Sequence, residues 1–186
     1  QCDALDLADP LAPLRKQFVL PEDVIYLDGN SLGMLPKATA SRVREVVEQE
    51  WGKDLIRSWN TAGWMALPHR LGNKIARLVG AGAGELVVAD STSVNLFKAL
   101  SAALSVVRHD APGRRVLLSE RSNFPTDLYI AEALCRERGQ ILRLVEAEDL
   151  AASLTDEVSV LMLTHVNYRT GAMFDMAAVT AEAQGR

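Results

Sequence analysis

Apolar positions recur along this chain in two rhythms. Behind Pro36, Val43, Val46, Val47 and Trp51 follow at helical spacing, so Lys37 to Trp51 is predicted as an amphipathic helix closed by Gly52. Leu67, Leu71, Ile75, Leu78 and Val79 mark a second helix from Leu67 to Val79, ended by the run Gly80 to Gly84. From Glu85 the rhythm changes. Short apolar runs at Leu86 to Ala89, Val116 to Leu118, Ile141 to Val145 and Val158 to Leu163 read as four strands. Between the first three lie helical patterns from Asn95 to Val107 and from Thr126 to Arg138, the second capped by Gly139. Strands apolar on both faces that alternate with helices predict an α/β domain: a mostly parallel sheet with helices on both faces.

Ahead of this pattern, residues 1 to 23 are rich in Asp, Leu and Pro, which suits an extended arm with a short helix near Leu14 to Phe18. Val24 to Leu27 reads as a short strand, and Asp28-Gly29-Asn30-Ser31 as a chain reversal. The Gly80 to Gly84 cluster lacks G-x-G-x-x-G spacing and precedes a strand instead of following one, so it is a loop and no dinucleotide site. The first residue is Gln, and Glu182 to Arg186 breaks off within a helix-like pattern, so both ends read as cut.

Composition narrows the function classes. In 186 residues, 48% are hydrophobic and 24% charged, with a net charge of −4, an ordinary globular balance that argues against nucleic acid or an anionic membrane as partner. No apolar run approaches the roughly 20 residues of a membrane span, and no signal-peptide pattern opens the chain, so a cytoplasmic protein is expected. Two distant cysteines, Cys2 and Cys135, indicate neither a disulfide framework nor a metal site. P-loop, H-E-x-x-H and G-x-S-x-G patterns are all absent.

In an open parallel sheet, ligands bind beyond the carboxyl ends of the strands. After the first expected strand, Asp90-Ser91-Thr92-Ser93 leads into a helix. Its N–H groups and hydroxyls form a phosphate site or, as residue type alone favours, a simple helix cap. After the second strand, Phe124 falls near the cap of a helix opened by Pro125, where a bulky aromatic has no capping use. It either stacks on a planar ligand or packs inward. Asp127 in the first turn either meets a cationic group or complements the helix dipole. After the last strand, Thr164-His165-Val166-Asn167-Tyr168-Arg169 is dense in hydrogen-bonding groups, with Thr164 and Arg169 the better placed candidates. Upstream, Trp59 to Trp64 offers aromatic walls or loop-covered core.

Several blocks carry a resemblance. Tyr26 to Gly33, Trp51-Gly52 with Leu55 to Trp64, Asp90 to Lys98, Ser122 to Glu132 and Leu163 to Gly171 follow one another as successive motifs of bacterial-type kynureninase. The resemblance spans the chain from Leu14 onward. It implies a pyridoxal 5'-phosphate (PLP) enzyme of fold type I, like aspartate aminotransferase. Such an enzyme hydrolyses the Cβ–Cγ bond of L-kynurenine to anthranilate and L-alanine in tryptophan catabolism. By the same resemblance, Ser91 and Thr92 hold the cofactor phosphate, Phe124 stacks on the pyridine ring, Pro125, Thr126 and Asp127 lie in the cofactor site, and Thr164 contacts the cofactor. Asn30, Ser31 and Trp64 belong to segments that approach the substrate.

On this reading, residues 1–65 are an arm, a helix and substrate-side loops, and residues 66–186 are the amino-terminal part of the PLP-binding large domain. The family's Schiff-base lysine, the aspartate pairing with the pyridinium nitrogen and the adjoining histidine all match positions beyond Arg186. None of Lys16, Lys37, Lys53, Lys74 and Lys98 sits in the lysine motif. The chain alone is therefore expected to be inactive, and the complete enzyme to be a homodimer. A non-catalytic PLP- or phosphate-binding module and another fold type I enzyme, a cysteine desulfurase or class V aminotransferase, are the alternatives. Between kynurenine and its 3-hydroxy derivative, bacterial resemblance favours kynurenine.

Overall fold

The computed structural model describes residues 2–186, and the chain divides into two compact units, 1–88 and 89–186.

The first unit opens with helix α1 (Cys2–Ala8), where an extended arm is expected from composition. Asp3 lies in its first turn, and the helix stops just before Asp9, which the following Pro10 disfavours from helical backbone. A 3-10 turn over Ala12–Gln17 overlaps the short helix expected near Leu14 to Phe18, with Phe18 itself extended. Val24 to Leu27 is a correction: it is extended but joins no ladder, and Ile25 and Leu27 are 89% and 87% exposed. A strand exists only through a partner, and none lies beside it among the described residues. The reversal does form. Ser31 donates to Asp28 through its N–H (3.2 Å) and its hydroxyl (2.7 Å), and the chain returns to pair Phe18 with Pro36.

Helix α2 (Lys37–Glu45) follows, and its continuation Val46–Trp51 is π-helical. The Gly52 N–H reaches back to the Val47 carbonyl at 2.9 Å. The face expected to be apolar is not the buried one: Val43, Val47 and Trp51 are exposed while Glu50 is buried, and the wider turn changes the helical phase after Val46. After a 3-10 turn (Leu55–Arg57) and the short α3 (Ser58–Thr61), α4 spans Leu67–Val79 as predicted and stops at Gly80, whose φ of +73° suits glycine. The expected strand Leu86 to Ala89 is not one. Leu86 lies against α4 at Gly72, where an added Cβ would stand 1.9 Å from the Leu86 carbonyl oxygen, and the Val88 N–H donates to the Pro68 carbonyl at 3.2 Å. A helix, not a neighbouring strand, receives this segment's backbone.

The second unit is α/β. Its elements are α5 (Thr92–Asp110), β1 (Val116–Glu120), α6 (Pro125–Arg138), β2 (Ile141–Val145), α7 (Leu150–Ser153), β3 (Val158–Met162) and α8 (Met176–Gln184). The three strands are parallel in the order β2-β1-β3, with Val116 opposite Ile141 and Ser119 opposite Met162. Central β1 is buried at every position. Its alternate side chains feed two cores: Leu117 packs with Leu100 and Leu104 of α5 and Ala131 and Leu134 of α6, whereas Val116 and Leu118 pack with Leu150, Leu154 and, from α8, Val179. Helices therefore cover both faces, as the two-sided apolar strands required.

Candidate functional site

Because β1 and β3 are adjacent and parallel, the loops leaving their carboxyl ends meet. Asn123 joins them. Its Oδ1 accepts from the Phe124 N–H at 2.7 Å and from the Thr164 hydroxyl at 2.6 Å, and its Nδ2 donates to the Ser119 hydroxyl oxygen at 3.2 Å. Ser119 in turn donates to the Met162 carbonyl at 2.8 Å, tying β1 to β3.

Beyond Thr164 the chain folds into a hairpin. Val166 bridges Met173, and the Phe174 N–H donates to the His165 carbonyl at 3.0 Å. Asn167 holds its tip, accepting at Oδ1 from the N–H groups of Arg169 (2.9 Å) and Thr170 (3.2 Å) and donating through Nδ2 to the Ser122 hydroxyl (2.7 Å). Ser122 donates to the buried Glu120 carboxylate at the end of β1. The tip presents Tyr168, whose ring meets Phe124 edge to face with centroids 5.0 Å apart. Arg169 engages its neighbour, donating through Nε to the Tyr168 hydroxyl at 2.7 Å. Asn123, Phe124, Thr164, Asn167 and Tyr168 line a small cleft at this edge.

Phe124 is the cap residue of α6 and Pro125 opens its first turn, as the sequence suggests. Phe124 is 44% exposed, so it does not pack wholly inward. Thr126 and Asp127 complete the first turn. Partial burial raises the Asp127 carboxyl above its ordinary range.

Ser91 caps α5 in extended backbone, its Oγ accepting from the Val94 N–H at 3.4 Å. The entry loop is anchored twice: Asn95 Nδ2 donates to the Ala89 carbonyl at 2.7 Å, and Lys98 is paired with Asp90, whose φ is +42°. Ser91 and Thr92 lie at the same end of the unit as Phe124. Arg138, at the end of α6, donates to the Ser101 carbonyl (2.8 Å) and the Ser105 hydroxyl (3.0 Å) of α5, so the helices run side by side. Each leads into the amino end of a strand, and their starts therefore face the carboxyl edge.

Asn30, Ser31 and Trp64 belong to the first unit. The Ser31 hydroxyl is engaged within its own turn, and Trp64 Nε1 donates to Glu50 Oε2 at 2.6 Å while its ring meets Trp59 edge to face at 5.9 Å. Sequence reasoning named Phe124 and Thr164 but missed the asparagines that hold their loops. The available signal was two asparagines, each within a few residues of a strand's carboxyl end, where a buried amide can bridge neighbouring loops. Among the described residues no His, Cys, Asp and Glu group is arranged to hold a metal ion, and no helix is long and apolar enough to cross a membrane.

Fold and site together define an α/β protein with hydroxyls, helix starts and an aromatic platform gathered at the carboxyl edge of a parallel sheet. No protein-family model matches the sequence. Over nearly its whole length, however, the chain is similar to kynureninases. It is 58% identical to kynureninase from Pseudomonas fluorescens over 183 residues, 97% of this chain and 44% of that protein. It is 59% identical to kynureninase from Burkholderia pseudomallei strain 1106a over 180 residues (95% and 43%), and 58% identical to that of Burkholderia mallei strain SAVP1 over the same shares. The chain thus spans less than half the length of the curated relatives it matches.

Proposed function

We propose that this chain is the amino-terminal part of a kynureninase, which hydrolyses the Cβ–Cγ bond of L-kynurenine to anthranilate and L-alanine with PLP. The observation that carries this reading is the 58% identity to a kynureninase across 97% of the chain. The residues present fit the cofactor. A phosphate dianion needs N–H and hydroxyl donors, and the α5 start supplies the Ser91 and Thr92 hydroxyls with the N–H groups of a first helical turn. A planar pyridine ring needs an apolar face, and Phe124 offers a half-exposed one, steadied by Tyr168. Asp127 lies in the first turn of α6, where partial burial raises its carboxyl above the ordinary range and a cationic group beside it would lower it again.

When bound, PLP supplies the electron sink that cleavage of this bond requires. The chain's residues do the rest of what this part can do. Ser91 and Thr92 anchor the phosphate, Phe124 excludes water from one ring face, Pro125 and Thr126 set the helix start, and Thr164 offers its hydroxyl oxygen. Residues 1–65 serve the substrate side through Asn30, Ser31 and Trp64, and residues 66–186 form part of the cofactor-binding large domain. We further propose a cytoplasmic homodimer acting on kynurenine in preference to 3-hydroxykynurenine.

The test is anthranilate release from L-kynurenine by the full-length protein that carries this sequence. Wild type is expected to be active, and Phe124→Ala to lose about tenfold or more in kcat/KM as the ring platform disappears. Sulfide release from cysteine or amino transfer to a keto acid, without anthranilate, would replace this reading with a different PLP enzyme. PLP binding without any turnover would leave a non-catalytic binding module.

A further inference from the structure

Asn123 is 6% exposed, and the orientation of its amide is dictated by its neighbours. Two donors, the Phe124 N–H at 2.7 Å and the Thr164 hydroxyl at 2.6 Å, converge on Oδ1. Turning the amide over would set its NH₂ against a backbone N–H, donor facing donor, so only one orientation is compatible. On the other side Ser119 has already given its proton to the Met162 carbonyl and can only accept from Nδ2. One buried amide thus fixes the backbone from which the Phe124 ring departs and, on the loop after the neighbouring strand, the rotamer of Thr164.

Resting on the PLP reading above, we infer that Asn123 is a positioning residue of the cofactor site: it sets Phe124 and Thr164 relative to each other and turns the Thr164 proton inward. The second consequence is chemical. With its proton given to Asn123, Thr164 presents only lone pairs outward, so the ligand atom it meets is a hydrogen-bond donor, a protonated hydroxyl or an N–H. A ligand that offered a bare anionic oxygen at that place would be repelled unless the Asn123 contact broke.

The experiment uses the full-length protein reconstituted with PLP, and reads the PLP dissociation constant together with the circular dichroism induced in the bound cofactor. Asn123→Ala is expected to weaken PLP binding about tenfold or more, the effect of removing one or two hydrogen bonds at a buried site, and to diminish the induced signal. Asn123→Asp keeps the acceptor for both donors and is expected to restore most of each. Thr164→Val is expected to weaken binding in the wild-type background and to have little further effect beside Asn123→Ala, because the two residues act through one contact.

Wild-type affinity and an unchanged cofactor spectrum in Asn123→Ala, or fully additive effects of the two substitutions, would overturn the inference. Should Asn123→Ala fail to fold, Thr164→Ser and Thr164→Val decide. Serine is expected to behave as wild type and valine to bind more weakly with an altered spectrum; valine indistinguishable from wild type overturns the inference. A wild-type protein that neither binds PLP nor releases anthranilate defeats the functional reading itself. An active wild type with an indifferent Asn123 defeats only the positioning role.

Discussion

At the scale of single residues, two carboxyls are shifted in opposite directions. Glu50 meets two donors, Arg42 Nη1 at 2.5 Å and Trp64 Nε1 at 2.6 Å. The Arg42 hydrogen bond first, and then that of Trp64, hold its carboxyl below the ordinary range against the opposing effect of burial. A carboxyl depressed in the folded state contributes stability above its unfolded pKa, about 4.3, and that contribution is lost as pH falls through the folded value. The melting temperature should therefore drop on acidification below about pH 4, and the drop should be smaller in Glu50→Gln; parallel profiles for the two proteins would refute the role given to Glu50. Asp127 is the converse case, raised by burial with no compensating partner. The folded protein then holds the proton more tightly than the unfolded chain, so stability declines as pH rises through the carboxylate range. Asp127→Asn is expected to raise the melting temperature of the cofactor-free protein at neutral pH by a small amount and to weaken PLP binding. A neutral-pH melting temperature below wild type would contradict this. The two asparagines of the site show in the sequence only as polar residues just past a strand's carboxyl end. Asn123 and Asn167 read as ordinary loop residues, and only the meeting of two loops from adjacent strands makes them bridges.

At the scale of elements, close approach is as informative as hydrogen bonding. Gly72 lies in mid-helix, where alanine ordinarily gains about 1 kcal/mol, yet a Cβ there would stand 1.9 Å from the Leu86 carbonyl oxygen and 2.6 Å from its carbon. Both are backbone atoms, so Leu86 to Val88 would have to lift off α4. Gly72→Ala is expected to destabilise the protein by about 1–3 kcal/mol, as overpacking does, despite its better helix propensity. Urea unfolding measures it, and a gain in stability would show that the contact is loose. Leu117, wholly buried in central β1, belongs to the opposite class: Leu117→Ala is expected to cost about 2–5 kcal/mol by leaving a cavity. The elements most legible in advance were those with local punctuation. Helix α4 runs over the expected Leu67–Val79, and α6 begins one residue earlier than expected and ends at Gly139, because a left-handed glycine stops each. The segments Val24 to Leu27 and Leu86 to Ala89 looked like strands by apolar content alone. Neither is one, since a ladder needs a neighbour that no local pattern specifies. The π-helical turn at Val46–Trp51 was equally invisible: the Glu50 carbonyl near its end accepts from the Ser58 hydroxyl at 2.6 Å, a contact that no periodicity specifies.

At the scale of the whole molecule, the proposed chemistry is divided between what this chain holds and what it needs. All five lysines are exposed, Lys98 is paired with Asp90, and none lies on the loops that carry Phe124 and Thr164. The 186-residue chain assayed on its own is accordingly expected to bind PLP reversibly, to lose it on dialysis, and to release no anthranilate. Borohydride should leave no covalent cofactor adduct on any of the five lysines, and mass spectrometry of the reduced protein would detect one if this were wrong. Composition, periodicity and punctuation were enough to establish an α/β protein with a parallel sheet covered on both faces, and to point to the carboxyl ends of its strands as the place for Phe124 and Thr164; Ser91 was placed there through a strand at Leu86 to Ala89 that does not form, and it caps α5 instead. Those features are encoded locally, by residues a few positions apart. The sheet's order with β1 at its centre, the docking of Leu86 on α4 and the Asn123 bridge between two loops were decided only by tertiary structure. Each joins groups distant along the chain, 41 residues apart for Asn123 and Thr164, and the free energy of such contacts depends on packing that no local pattern contains.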